Sequence, residues 1–507
     1  MVTSRILPWI GTCLTLGACG GSVDRDGAGG SAARGIETEQ GDQSGGPKSD
    51  PKAGDQPGMR SDSGGTPSSG GSTSVAGSDV GGSPPNQYPG SGFVVHEWGT
   101  DTIVIGSDGS LQRGLHHEEE DLPSFVYDRI KAASLLGETF SPSVTIKMET
   151  PVTYFYSDVP LTVRAGVSFP KGVLTQWYPG VAAFLPAVAA PSSMLVNEPA
   201  TFADPVLDPA FPFMSDLCRA KFSSVGSGSL DWGNVSVLPR DADVAAQVPA
   251  ASLDKFSWSY ARAVASNPVR IASGETERFL FYRGLGDFEL PVSVRVTGPG
   301  VAGLGGNPVV LKNQFSEAIG AVFMMNVAKD EAVFTHYAHG IAAGGELAEK
   351  LPMLYGTTPI DAYADQLGQA VTGALDGTGL YHDEAVAMVN TWKRQWFRTP
   401  GIRLLYIIPQ RWTDESIPLS IEPKPDVTLR VMLIRVEVIT PEQEADDVGF
   451  LSEFDAAPAS AQAHFTSLGR FAEPRLRRAL SLAPKSGGAQ AFLEQIRTAN
   501  TSVSSGE

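Results

Sequence analysis

Cysteine is nearly missing: the 507 residues hold only Cys13, Cys19 and Cys218, too few for a disulfide framework to replace a hydrophobic core. Basic residues are outnumbered, 38 against 56 acidic, for a formal net charge of −18. Nucleic acid and anionic lipid headgroups recruit clustered Lys and Arg, so neither is expected as a partner. Long apolar runs are absent as well. The run 6–16, behind Arg5, is far shorter than the ~20 residues that span a bilayer, and Pro8 interrupts it. Enzyme signatures are also wanting. There is no GxSxG nucleophile elbow, no phosphate-binding P-loop and no DxDxDG calcium loop. Residues 298–303 match GxGxxG, but Leu304-Gly305-Gly306-Asn307-Pro308 behind them cannot open the helix that would hold a pyrophosphate. That segment reads as a turn, and no catalytic residue is assigned.

What is present divides the chain. Residues 20–92 are mostly Gly, Ser, Asp and Pro, too poor in large apolar side chains to offset chain entropy. As a Gly/Ser coil, about 73 residues have a root-mean-square span of ~45–50 Å. From Phe93 the composition turns globular. The expected organisation is a leader at 1–18, a Cys19-headed linker at 19–92, a β-rich domain at 93–345 and a mixed helix/strand region at 346–507.

The leader ends Leu16-Gly17-Ala18-Cys19 after its short apolar run, with small residues ahead of the cut. This resembles the lipobox of bacterial lipoprotein precursors. The resemblance implies that Cys19 becomes an acylated N-terminus and anchors the chain to a membrane by lipid alone. Gly20 and Gly21 follow the cysteine with no Asp behind it, which in that family implies the outer membrane. Cys13 would leave with the leader, and Cys218 would remain as a single thiol.

Alternating β-branched and aromatic residues predict strands at 93–98 and 102–105, with turn chemistry at Ser107-Asp108-Gly109. Further strands are expected at 147–156, 161–169, 278–282 and 290–297, and a hairpin at 321–327 and 332–337. Residues 179–212 read as a long loop. Helical spacing appears at 359–374 and 383–397, the latter striped by Ala385, Met388, Val389, Trp392 and Trp396. Strands at 403–409 and 427–439 precede Thr440-Pro441-Glu442-Gln443, a capping-box start. Helices at 441–454, 474–482 and 489–498 close the chain. The expected fold is α+β, mainly antiparallel and sandwich-like, with a mixed C-terminal part and short terminal helices.

Seven histidines are few enough to weigh singly. His96 lies in His96-Glu97-Trp98-Gly99-Thr100, where Thr100 occupies the place of the second His of HExxH, so it reads as a hydrogen-bonded core residue. The body resembles exported bacterial proteins with an HEWGT-type opening strand, at His96–Thr100 and again at 279–284, a resemblance that implies no particular activity. His116-His117-Glu118-Glu119-Glu120-Asp121 is the densest polar run, with the donor types a divalent zinc, manganese or iron ion uses. Adjacent side chains seldom converge, so His116, His117 and Glu118 need distant partners, His96 and Glu149 being the candidates. Against this stands a solvated acidic loop. His336 and His339 have HxxH spacing but leave a strand for Gly340. The Arg470, Arg475, Arg477 and Arg478 cluster reads as a solvated helix face.

Trp177 and Tyr178 stand at a strand end and are candidates for stacking on a sugar ring. The leading expectation is therefore a lipid-anchored envelope protein whose body binds a glycan or another envelope protein. The alternatives are an exported metal-dependent hydrolase and a structural envelope protein.

Overall fold

The computed structural model describes residues 87–120, 122–128, 144–185, 228–249, 258–301, 304–356, 358–483 and 486–498. Cys13, Cys19, the linker to position 86, Asp121 and Cys218 lie outside these residues. The described residues belong to one compact unit, Val80–Glu507. Among them no helix is long and apolar enough to cross a membrane.

The first strand, Phe93–Ile105, organises the body. Its β-branched and aromatic content favours extended backbone, and every residue after Phe93 is buried. It runs parallel to the strand Val427–Val438, in register from Val94 opposite Val427 to Ile105 opposite Val438. Its other edge pairs antiparallel with Val152–Ser157 and then Ile146–Met148. Where those two meet, Gly99 faces Pro151, whose Cα would lie 3.0 Å from any added Cβ. A glycine there lets two backbones approach without a clash. The two short strands expected at 93–98 and 102–105 are thus one, and the turn at 107–109 follows it: Gly109 N–H donates to the Gly106 carbonyl.

This strand lies inside an eleven-stranded sheet that also holds Leu280–Gly286, Gly172–Tyr178, Val322–Val327, Glu331–Tyr337 and Gly401–Ile408. All its other described pairings are antiparallel. A six-stranded sheet built on Leu161–Phe169 and Gly228–Val237 packs near one face, with Trp232 and Tyr282 rings 6.2 Å apart. A three-stranded sheet holds Val292–Val296, Pro308–Asn313 and Glu346–Lys350. The architecture is α+β and mainly antiparallel, as the alternation predicts. The large sheet draws strands from both sides of the expected 345/346 boundary, so residues 93–345 do not form a sheet of their own.

The helix Ile360–Asp376 precedes His382–Lys393, whose Ala385, Met388, Val389 and Trp392 are all buried, together with Trp396 just beyond it. Thr440 opens the helix Pro441–Ala456 as a capping box: its hydroxyl accepts from Gln443 N–H, and its own N–H donates to the Gln443 side chain. Pro458–Ser467, which carries His464, follows directly. With Ala472–Leu482 and Gly487–Thr498 these helices enclose a small core around Phe454, Phe465, Leu476 and Phe492.

Candidate functional site

In the polar run after the first strand His116 and His117 are buried and Glu118, Glu119 and Glu120 half-buried, and these neighbours in sequence part company in space. Glu118 meets Lys147 at 2.7 Å and Arg283 at 2.8 Å. Glu119 meets Arg435 at 2.9 Å and Arg470 at 2.9 Å. Glu120 accepts from the Gln395 side chain at 3.2 Å. Each carboxylate therefore ties this loop to a different strand or helix. Arg435 and Arg403 share Glu437, at 2.7 and 3.0 Å. Arg470 Nη1 donates to Glu149 Oε1 at 2.5 Å. Burial alone would raise the Glu149 pKa, but Arg470, Lys147 and Arg283 outweigh it and take it down to about 2.

Glu118 and Glu149 are thus ion-pair partners, set apart from the one grouping of described residues with metal-ligand spacing. His96 is also elsewhere: its Nδ1 lies 2.8 Å from Glu384 Oε2, while Tyr156 donates to the other Glu384 oxygen at 2.8 Å. That places His96 in an aromatic pocket with Tyr381, 4.3 Å between ring centroids. It is the hydrogen-bonded core residue that its strand position implies. His336 stacks on Phe323 at 4.3 Å on the strand Glu331–Tyr337, and His339 follows in the turn.

His116 and His117 do converge, on a residue that sequence reasoning missed. Their rings lie 4.2 Å apart, and His116 Nδ1 and His117 Nε2 are each 3.6 Å from Glu473 Oε2. Among the described residues this is the cluster of His and carboxylate donors with metal-holding spacing, its ligand atoms all within 4.8 Å of one another. Glu473 sits in the first turn of Ala472–Leu482, where the helix dipole favours a carboxylate. Arg477, one turn on, holds its other oxygen at 2.7 Å. Burial opposes ionisation of Glu473, yet its contacts with His117 and Arg477 hold its carboxyl below the usual range. Burial and the adjacent His117 ring push His116 down to about 3, so it is a neutral imidazole at physiological pH. Gly114, at φ +100, touches the Glu473 carboxylate closely enough that a Cβ would lie 2.5 Å from it.

Beside this layer is a narrow aromatic cavity of about 30 Å³, partly open to solvent. Trp98, Trp258, Phe279, Phe281 and Trp392 wall it, and Glu120, Thr150 and Arg283 add polar groups. Trp392 Nε1 and Thr150 Oγ1 are buried without a hydrogen-bond partner. Trp177 and Tyr178 lie elsewhere, 1% and 2% exposed. Tyr127 and Phe184 cover Trp177, and Phe125 and Trp258 cover Tyr178, so neither offers a ring face to a sugar.

On the same strand as His96, Asp101 is fully buried and neither carboxyl oxygen has a hydrogen bond. Burial, reinforced by Glu149, pushes its pKa up to about 8.

No protein-family model matches the chain, and no curated protein matches it. Solved structures aligned with it include the yeast delta-COP-I mu-homology domain complexed with a Dsl1 WxWxV peptide, at 8% identity and TM-score 0.25 over 70% of this chain and all of that one. The Danio rerio Fcho1 mu homology domain with bound Eps15 peptide aligns at 6% identity and TM-score 0.24, over 68% of this chain and 96% of that one. Such scores do not establish a common fold.

Proposed function

We propose that this chain is a lipid-anchored protein of the bacterial cell envelope whose β-rich body binds a pyranose ring of an envelope glycan. The observation that carries the reading is the aromatic cavity. Its enclosed space is only about 30 Å³, so a sugar ring enters only as the wall side chains turn aside, but indole faces stack well on the apolar face of a sugar. Two buried donors without partners, Trp392 Nε1 and Thr150 Oγ1, each cost roughly 1–3 kcal/mol unless a ligand supplies acceptors. Sugar hydroxyls are such acceptors, and the Glu120 carboxylate can accept a hydrogen bond from a hydroxyl in return.

The test is a fluorescence titration of the full chain with peptidoglycan disaccharide fragments. Three indoles line the cavity, so occupancy shifts their emission. Trp392→Ala is expected to weaken binding about 10- to 100-fold by removing a wall. Thr150→Val should cost about 5- to 10-fold through one lost hydrogen bond. Binding that is unchanged in Trp392→Ala, or absent for every fragment, sinks the reading.

The anchor has its own check. Cys19→Ser should abolish acyl labelling and release the body from the membrane fraction. A processed variant that still sediments with membranes would show that the lipobox is not the anchor. The rival hydrolase reading needs an ion within reach of substrate, and it gains little support from His116, His117 and Glu473 at 6%, 9% and 0% exposure.

A further inference from the structure

We propose that His116 Nδ1, His117 Nε2 and Glu473 Oε2 together hold one divalent first-row transition ion, zinc by preference, as a cross-link between the loop after the first strand and the C-terminal helices. Distance is the first argument. Each imidazole nitrogen lies 3.6 Å from Glu473 Oε2, too far for a good hydrogen bond. Two ligands on one tetrahedral ion are separated by about 1.63 bond lengths, or ~3.4 Å for Zn–N and Zn–O bonds near 2.1 Å. The observed spacing therefore suits a shared ion better than a direct contact.

Donor chemistry is the second argument. Two imidazoles and one carboxylate make a His₂Glu set, which suits zinc. The carboxylate is also positioned: Arg477 engages Oε1 at 2.7 Å and leaves Oε2 turned to both rings. Such an outer hydrogen bond fixes which oxygen a metal meets. Lys147, whose Nζ reaches the His116 carbonyl at 3.4 Å, is neutralised by Glu118. The fourth position of a tetrahedron falls to water or a small anion.

Architecture supplies the third. His117 and Glu473 come from distant parts of the chain, and all three donors are buried. An ion here pins the helices to the sheet, as a disulfide does in other exported proteins.

The experiment is metal analysis of the untagged full chain after dialysis against Zn²⁺ and then against buffer. About one equivalent per chain is expected, with cobalt substitution giving the strong visible absorption of a tetrahedral site. Chelation should lower the thermal midpoint by several degrees, and zinc should restore it. His117→Ala and Glu473→Gln should each reduce bound metal at least about tenfold. Should Glu473→Gln fail to fold, the cobalt spectrum and chelation shift of the unaltered chain still decide. Folded protein retaining under about a tenth of an equivalent, or a midpoint indifferent to chelator, overturns the proposal. So does full metal content in His117→Ala, which would place the ion elsewhere.

Discussion

Asp101→Asn should stabilise the protein at neutral pH by on the order of 3–4 kcal/mol, and the gain should vanish in acid. The carboxyl is held at about 8 in the folded state by burial and by Glu149, against about 3.9 in an unfolded chain. A raised acid binds its proton more tightly when folded. Its presence is therefore harmless below pH ~4, where both states are protonated. Between there and pH 8 the unfolded chain alone ionises, and stability falls by about 1.4 kcal/mol per pH unit. Asn has nearly the same shape and no proton to lose. Urea unfolding of both proteins at pH 4, 5.5 and 7 should show a difference growing along that line. A difference independent of pH would mean that Asp101 is ionised or partnered in the folded protein.

Arg470→Ala is expected to destabilise by about 3–5 kcal/mol, the cost of removing one member of a buried ion cluster. Arg470 is 4% exposed and serves two buried carboxylates, Glu119 and Glu149. Without it Glu149 loses its largest favourable neighbour while still facing Asp101. The useful contrast is Arg411→Ala. Arg411 pairs with Glu415 where the two are 60% and 58% exposed, and such pairs contribute about 0–1 kcal/mol. Urea midpoints for the two variants should differ accordingly. Equal, small losses would mean that Arg470 is solvated in the folded protein.

Those arginines mark the limit of what local sequence can tell. Arg470, Arg475, Arg477 and Arg478 look like a wet helix face because charge periodicity carries no record of distant carboxylates. In the structure Arg470 and Arg478 are buried, and all four meet acids: Glu119 and Glu149, Asp447, Glu473, and Glu444. The same blindness explains Glu118 and Glu149. Their type suits a metal, but the cations that claim them, Lys147 and Arg283 on strands and Arg470 among the C-terminal helices, lie far off in the chain. Trp177 and Tyr178 look half-exposed beside a Pro-Gly turn until Tyr127, Phe184, Phe125 and Trp258 arrive from elsewhere in the chain.

Where the signal is local, the reading holds. Thr440 and Gln443 cap the helix they announce, and the hairpin around 328–330 forms at the residues whose alternation marks it. His116 and His117 were legible as donors. Glu473 was not, since no spacing rule connects a loop near the start of the body with a helix near its end.

The parallel pairing of the first and last strands of the large sheet sets a schedule. Glu97 and Arg430 are 333 positions apart, yet they face each other at the centre of the body. At synthesis rates of ~5–20 residues per second, the first strand waits roughly 15–70 s for its neighbour to be made. Until then one whole edge of the central strand is unsatisfied and sticky. That seam stays open until the strand Val427–Val438 emerges. Any truncation before Val427 would strand the core with an open seam.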